Sequence, residues 1–196
     1  MMTAFDRLAS GYDLGMWPLE WLFLRRLRRI FSRAHGRVLE IGVGTGVNLP
    51  HYGREVNLVA LDHSLEMLGR AFRRPHPVRM QMLQADVQAL PLRDNSFDMV
   101  VGSLVFCSID DPPRALAEIR RVLRSGGRLL LLEHVRGERG LMRRLTDGLN
   151  PVWHRLSKSC RLNRDTAQAV ADAGMHLVRA SRHASGIVQI IEALNP

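Results

Sequence analysis

A doubly wound α/β sheet of seven strands, mostly parallel with an antiparallel C-terminal hairpin and helices on both faces, is the fold class this sequence predicts. Three observations carry the prediction. From residue 37 onward short apolar runs alternate with amphipathic ones, the pattern of parallel strands joined by helical crossovers. Helix starts carry recognisable caps, with Ser64 before "LEML" and Asp111 before Pro112. The last two apolar runs are separated by a few residues including Gly186, which suits a hairpin rather than a crossover.

Taken in order, the chain opens with "MWPLEWLFLRRLRRIF" (16–31). At helical pitch Phe23, Leu24, Leu27, Ile30 and Phe31 share one side, with Trp17 near its margin. Arg25, Arg26 and Arg29 lie opposite, while Glu20 and Arg28 interrupt the pattern. Two readings stand: a basic helix in a bilayer interface, or a cap with its apolar side against the sheet. Both are compatible with a lid over the site.

Strands are expected at 37–41, 57–61, 78–84, 97–102, 128–133, 175–181 and 187–192. Helices are expected at 64–73, 112–124, 141–149 and 164–173, the second ended by Ser125-Gly126-Gly127. No repeat or long linker divides the chain, so residues 1–196 read as a single domain, with an N-terminal helical lid (1–33) and an α/β core (34–196).

The 196 residues suit one compact core. A formal net charge of +9 rests almost wholly on arginine, since Lys158 is the single lysine. Such a surface attracts phosphate or anionic lipid, or is a solvated face; composition leaves both open. Cys107 and Cys160 do not make a disulfide framework, and Cys107, in an apolar run, reads as packing. No signal-peptide order and no apolar run of ~20 residues is seen, so a cytoplasmic protein is expected. The histidines show no CxxC, HxH or HExxH spacing, and no metal site is expected.

"VLEIGVGTGVNLP" (38–50) places Gly42, Gly44 and Gly46 directly behind the first strand, where doubly wound sheets bind ligands. Glycines there suit a backbone that must approach something closely. The G-x-G-x-x-G register of dinucleotide enzymes fails, because Val47 stands at the sixth position. An acid, Glu40, precedes the glycines instead, which suits a ligand carrying an ammonium and a sulfonium. Asp62 ends the second strand, where a carboxylate can accept both hydroxyls of a ribose. Asp86 follows the third strand.

E-x-G-x-G-x-G, the acid after strand two, "QADVQALPLRDNSFDMVV" and "RVLRSGGRLLLLEH" together resemble the class I S-adenosylmethionine-dependent methyltransferases, closely over residues 35–135. The resemblance implies a Rossmann-like core, S-adenosylmethionine as cofactor and S-adenosylhomocysteine as product. It implies that Gly42, Gly44 and Gly46 approach the methionine part, with Glu40 and Asn48 in the same set. Asp62 would take the ribose, with His63 and Met67 flanking the adenine. Asp86 and Val87 would recognise the adenine edge, and Leu104 would lie beneath the cofactor. Val87 and Met67 are also compatible with plain core.

"GVGTGVNLP", "LVFCSIDDPPRALAEIRRVLR", "EHV" and "LNPVWHRLSKSCRLNRDT" look most similar to two neighbouring groups. These are the alkyl-thiol S-methyltransferases and the bacterial phosphatidylethanolamine N-methyltransferases related to quinone C-methyltransferases. The 149–166 stretch favours the first group. This chain is shorter than both and lacks the hydrophobic leader of the microsomal thiol enzymes. Any membrane contact is therefore expected to be peripheral, transient and on the anionic inner face.

"DDPP" superficially suggests base-methylating enzymes of nucleic acids, but Arg114 rather than an aromatic follows, and an Asp cap with Pro at the first helical positions explains it. Nucleic acid is not an expected partner. The expected activity is transfer of a methyl group to a small or lipophilic acceptor (thiol, or phospholipid amine or quinol) by in-line displacement. The alternative is a non-catalytic S-adenosylmethionine-binding regulatory protein. His134 is the candidate general base or orienting group, a backbone-bonded histidine being the other reading. Tyr12, Trp17 and His154 are candidates for the acceptor pocket. The sequence leaves the oligomeric state open.

Overall fold

The computed structural model describes residues 24–137, 140–157 and 160–196. Tyr12 and Trp17 therefore lie outside the described residues, as does the side chain of His154 within its helix. Seven strands form one sheet: β1 (Arg37–Ile41), β2 (Asn57–Asp62), β3 (Arg79–Gln84), β4 (Phe97–Ser103), β5 (Leu123–His134), β6 (His176–His183) and β7 (Val188–Leu194). Their order is β3-β2-β1-β4-β5-β7-β6. The first five are parallel, and β7 runs antiparallel to both β5 and β6. Chain direction across the sheet reverses between β1 and β4, so the ligand crevice of this topology falls there.

The inner strands β1, β2, β4, β5 and β7 are largely buried on both faces, which is why they read as continuous apolar runs, while the edge strands β3 and β6 stay half-buried or exposed. Alternation along β1 sends Val38 to one core, with Leu58, Met99, Leu130 and the N-terminal Leu24 and Phe31. It sends Leu39 and Ile41 to the other, with Val100, Leu131 and the helical Leu116 and Ile119. Glu40 follows the parity of Val38 and faces the side where the N-terminal segment packs.

Helix α1 (Leu65–Arg73) starts at Ser64, whose side chain accepts from the Met67 N–H. Helix α2 (Pro112–Val122) starts at Asp111, which accepts from the Arg114 N–H. Its end differs from the sequence expectation. Leu123 already turns extended and pairs with Phe97, so β5 begins there and contains Ser125-Gly126-Gly127 as an irregularity. The helix is closed instead by Asn195, whose Nδ2 donates to the carbonyls of Arg120, Leu123 and Arg124. This residue, at the far end of the chain, supplies the C-terminal donor that local glycines were expected to replace.

Helix α3 (Gly140–Ser157) runs past the expected end at 149 and includes Pro151, which removes one donor without ending it. Helix α4 (Thr166–Asp172) is capped by Asp165. At the N-terminal end, Arg25–Leu27 and Arg28–Arg33 form short helical turns. Their apolar residues Leu24 and Phe31 are fully buried, while Arg25, Arg26 and Arg29 are exposed. In the described part of 16–31, then, the apolar side faces protein. Among the described residues no helix is long and apolar enough to cross a membrane.

Candidate active site

The three glycines behind β1 all adopt left-handed backbone, with φ of 61°, 56° and 79°. Each meets a different constraint. A Cβ on Gly42 would lie 2.5 Å from Val105 Cγ2, and one on Gly46 would lie 2.7 Å from Leu49 Cδ1 and 3.0 Å from Ala71 Cα. These two keep the loop packed against the β4 turn and α1. A Cβ on Gly44 would meet nothing nearer than the Gly42 carbonyl at 4.0 Å. Gly44 fronts open space.

That space is a cavity of about 310 Å³ at the carboxyl ends of β1 to β4. Of the residues singled out from sequence, Gly42, Gly44, Asp62 and His63 line it. So do Met67, Asp86, Val87 and Leu104. The Asp62 carboxylate is held rigidly, Oδ2 accepting from the Gly44 N–H at 2.8 Å and Oδ1 from the Ser64 N–H at 2.9 Å. Burial pushes its pKa up, opposed by those N–H bonds. The His63 N–H bonds the same carboxylate, which lines the cavity with acceptor capacity left for a hydroxyl. Asp86 is engaged differently: Gln88 Nε2 bridges both its oxygens at 3.0 Å, and the Gln88 N–H donates to Oδ1.

Glu40, Gly46 and Asn48 do not line the cavity but stand behind it. Asn48 Nδ2 donates to Glu40 Oε1 at 2.7 Å, and Asn48 Oδ1 accepts from Arg28. The same Arg28 nitrogen reaches Ser103 Oγ at the end of β4. Arg28 is 3% exposed, so it is a buried cation bridging the glycine loop and the β4 edge. Its interruption of the amphipathic pattern is explained: the residue points inward to make this bridge. Burial raises the Glu40 pKa to about 7, with Asn48, Tyr52 and the Arg28 charge holding it from going higher.

The β4 turn forms the facing wall. Leu104 sits at φ 56°, an uncommon place for a side-chain-bearing residue, and its N–H donates to the Leu132 carbonyl at 2.8 Å. Glu133 stabilises the next two residues: its Oε1 accepts from the N–H groups of Val105 at 2.9 Å and Phe106 at 3.1 Å. Complete burial lifts the Glu133 pKa to about 8 against those bonds.

Sequence reasoning missed Arg28 and Glu133, and also Gln88, Ser103, Ser108, Ile109 and Asp110, which line the cavity. Gln88, Ser108 and Asp110 could have been found as polar residues just past strands three and four. Arg28 could not, because its partners are distant in the chain. His134 ends β5, outside the cavity lining; its Nδ1 is buried without a partner among the described residues, and burial lowers its pKa.

Residues 39–131 match the family model described as a methyltransferase domain. The phosphatidylethanolamine N-methyltransferase of Cereibacter sphaeroides is 36% identical over 133 residues, 66% of this chain and 66% of its own length. Human thiol S-methyltransferase TMT1B is 30% identical over 169 residues, 79% of this chain and 69% of its own. A solved S-adenosylmethionine-dependent methyltransferase from Thermotoga maritima shares the fold, with a TM-score of 0.76 at 22% identity, covering 98% of this chain and 99% of that one. The chain spans about two thirds of the length of the two curated relatives. With the glycine loop, Asp62 and the reversed strand order at the same crevice, the chain belongs to the family of S-adenosylmethionine-dependent methyltransferase domains.

Proposed function

We propose that this protein transfers a methyl group from S-adenosylmethionine to a small or lipophilic acceptor: a thiol, or a phospholipid amine or quinol. The observation that carries the reading is Gly44 opening onto the cavity beside an Asp62 carboxylate that backbone N–H groups hold facing it. When bound, the cofactor supplies an electrophilic sulfonium methyl group, which an acceptor takes by in-line displacement. Asp62 would hold the ribose hydroxyls, and the Gly42–Gly44 backbone would lie against the methionine part. Asp86, Val87 and Gln88 would face the adenine, with His63 and Met67 beside it. Glu40, Asn48 and Arg28 hold the loop from behind.

Leu104, Val105 and Ile109 present an apolar wall that excludes water. A dry wall speeds reaction of an anionic acceptor, because charge is neutralised as the bond forms. A soft acceptor such as a thiolate needs little proton transfer, consistent with His134 lying outside the cavity lining. The lid expected over residues 1–33 is proposed for the part before Leu24, outside the described residues, with Tyr12, Trp17 and His154 proposed for the acceptor side; residues 24–33 pack behind the glycine loop. Both relatives named above act on substrates of the proposed classes, by their names.

The test is mass-spectrometric detection of S-adenosylhomocysteine with a panel of thiols, quinols and phospholipids, beside calorimetry with S-adenosylmethionine and NAD. Cofactor-dependent methylation of one acceptor class supports the proposal. Tight cofactor binding without turnover on any acceptor leaves the regulatory alternative, and preferential NAD binding overturns both.

A further inference from the structure

Two cysteines far apart in the chain meet beside the cavity. Cys107 is buried in the turn Phe106–Ser108, between Val105 and Ser108, which line the cavity. Cys160 is partly exposed in the segment between α3 and α4. The Arg161 N–H donates to the Cys107 carbonyl at 2.9 Å, which draws the Cα atoms of residues 107 and 160 toward the roughly 4.4–6.8 Å that a disulfide spans. The side chains face each other as well, with the two thiols hydrogen-bonded. The Arg164 guanidinium lies close enough to feel both sulfurs and donates to the Ile109 carbonyl, so residues 160–164 brace the cavity wall.

We propose that Cys107 and Cys160 are a redox modification site, at which hydrogen peroxide converts the facing thiols into a disulfide that stitches segment 160–164 to the cavity wall. Cys160, the more accessible sulfur, reacts first: its thiolate attacks a peroxide oxygen, the O–O bond breaks, and hydroxide leaves a sulfenic acid behind. The Cys107 sulfur then attacks the Cys160 sulfur. The S–S bond forms as the S–O bond breaks, and the Cys107 proton leaves with the displaced hydroxide as water. In sum, two thiols lose two electrons and two protons, and one peroxide becomes two waters. The hydrogen bond with Cys160, and burial after it, hold the Cys107 thiol above its ordinary pKa, so the second step, rather than the first, sets the pace. A dithiol reductant reverses the link. The cross-link forms whether or not the cavity transfers methyl groups, so its test is independent of that reading.

The experiment exposes the full wild-type chain to hydrogen peroxide, alkylates the remaining thiols, digests, and maps the peptides by mass spectrometry. The expected product is one linked pair containing Cys107 and Cys160, lighter than the sum of its parts by two hydrogens and lost on reduction with dithiothreitol. The melting temperature of the oxidised chain should rise by several degrees, because a long loop of the unfolded state is closed. In Cys107→Ser the same dose should leave Cys160 as a sulfenic acid that dimedone traps, and in Cys160→Ser Cys107 should stay alkylatable. Two alkylated cysteines in the peroxide-treated wild type overturn the proposal. So does a disulfide between chains, or sulfinic acid on Cys160 with no link to Cys107. The wild-type readout stands even where a variant fails to fold.

Discussion

Gly44, Gly46 and Asp62 separate binding from folding at the scale of single residues. Gly44→Val adds a side chain where only open cavity lies, so it should abolish cofactor binding while lowering stability by about 1–2 kcal/mol for its left-handed φ. Gly46→Val drives a side chain into Leu49 and the Ala71 backbone and should fail to fold well at all. Calorimetry and thermal melts on both variants check this; similar cofactor affinity in Gly44→Val and wild type would place the ligand elsewhere. Asp62→Ala should weaken cofactor binding by roughly 1–3 kcal/mol, from losing a charged acceptor. Part of that loss is indirect, since the carboxylate also holds the Gly44 and Ser64 N–H groups. Asp62→Asn, which retains one acceptor oxygen, should lose less. From sequence all three glycines of the loop looked alike. What distinguishes them is the neighbour each would strike, and Val105 and Ala71 reach them only through the fold.

Elements were legible where their signals are local. Ser64 and Asp111 start α1 and α2 as their sequence context requires, and period-two burial on two faces produces the apolar runs of the sheet. Ends set by distant partners were not legible. Asn195 closes α2 from the far terminus, and pairing with Phe97 pulls Leu123 out of the helix. The N-terminal turns show both cases. The apolar side of 24–31 was readable, yet Arg28 looked like a defect until its bridge to Asn48 and Ser103 placed it inside. Arg28→Met should therefore loosen the glycine loop and raise the KM for S-adenosylmethionine at least several-fold, with a smaller change in kcat. A drop in kcat alone would contradict the bridging role. The exposed Arg25, Arg26 and Arg29 bear on a different question. Since Leu24 and Phe31 are committed to the core, any membrane contact by this stretch rests on charge, each arginine near an anionic surface contributing about 1 kcal/mol. Changing the three to Gln should abolish salt-sensitive sedimentation with anionic vesicles and leave cofactor affinity intact. Wild type that ignores such vesicles at low salt ends the membrane reading.

Among the described residues of the whole molecule, two carboxyls are fully buried, Glu40 and Glu133, lifted to pKa values of about 7 and about 8 from an ordinary value near 4.5. Desolvation is the leading cause at both. Each is a raised folded-state pKa, so the folded chain keeps a proton that the unfolded chain releases. The stability this contributes is complete below pH 4.5 and is lost as pH climbs through 7 for Glu40 and 8 for Glu133. While a carboxyl stays protonated in the folded state and ionised in the unfolded one, stability falls by roughly 1.4 kcal/mol per pH unit. Other groups act in other windows. His134, with a lowered pKa, destabilises the fold only as pH drops below its ordinary value of 6.5, and Glu118 and Asp147, also lowered, act in acid near and below the usual carboxylate range. From about pH 6.5 to 8 the two buried acids should dominate the slope. Melting temperature should thus fall across that window in the wild type. In Glu133→Gln the fall should be shallower, because Gln keeps the oxygen that accepts from Val105 and Phe106 and has no proton to lose. Glu40→Gln should flatten the lower half of the window, and the double variant should be nearly level. Parallel melting curves for wild type and double variant across the same window would show that both carboxyls are already ionised in the fold.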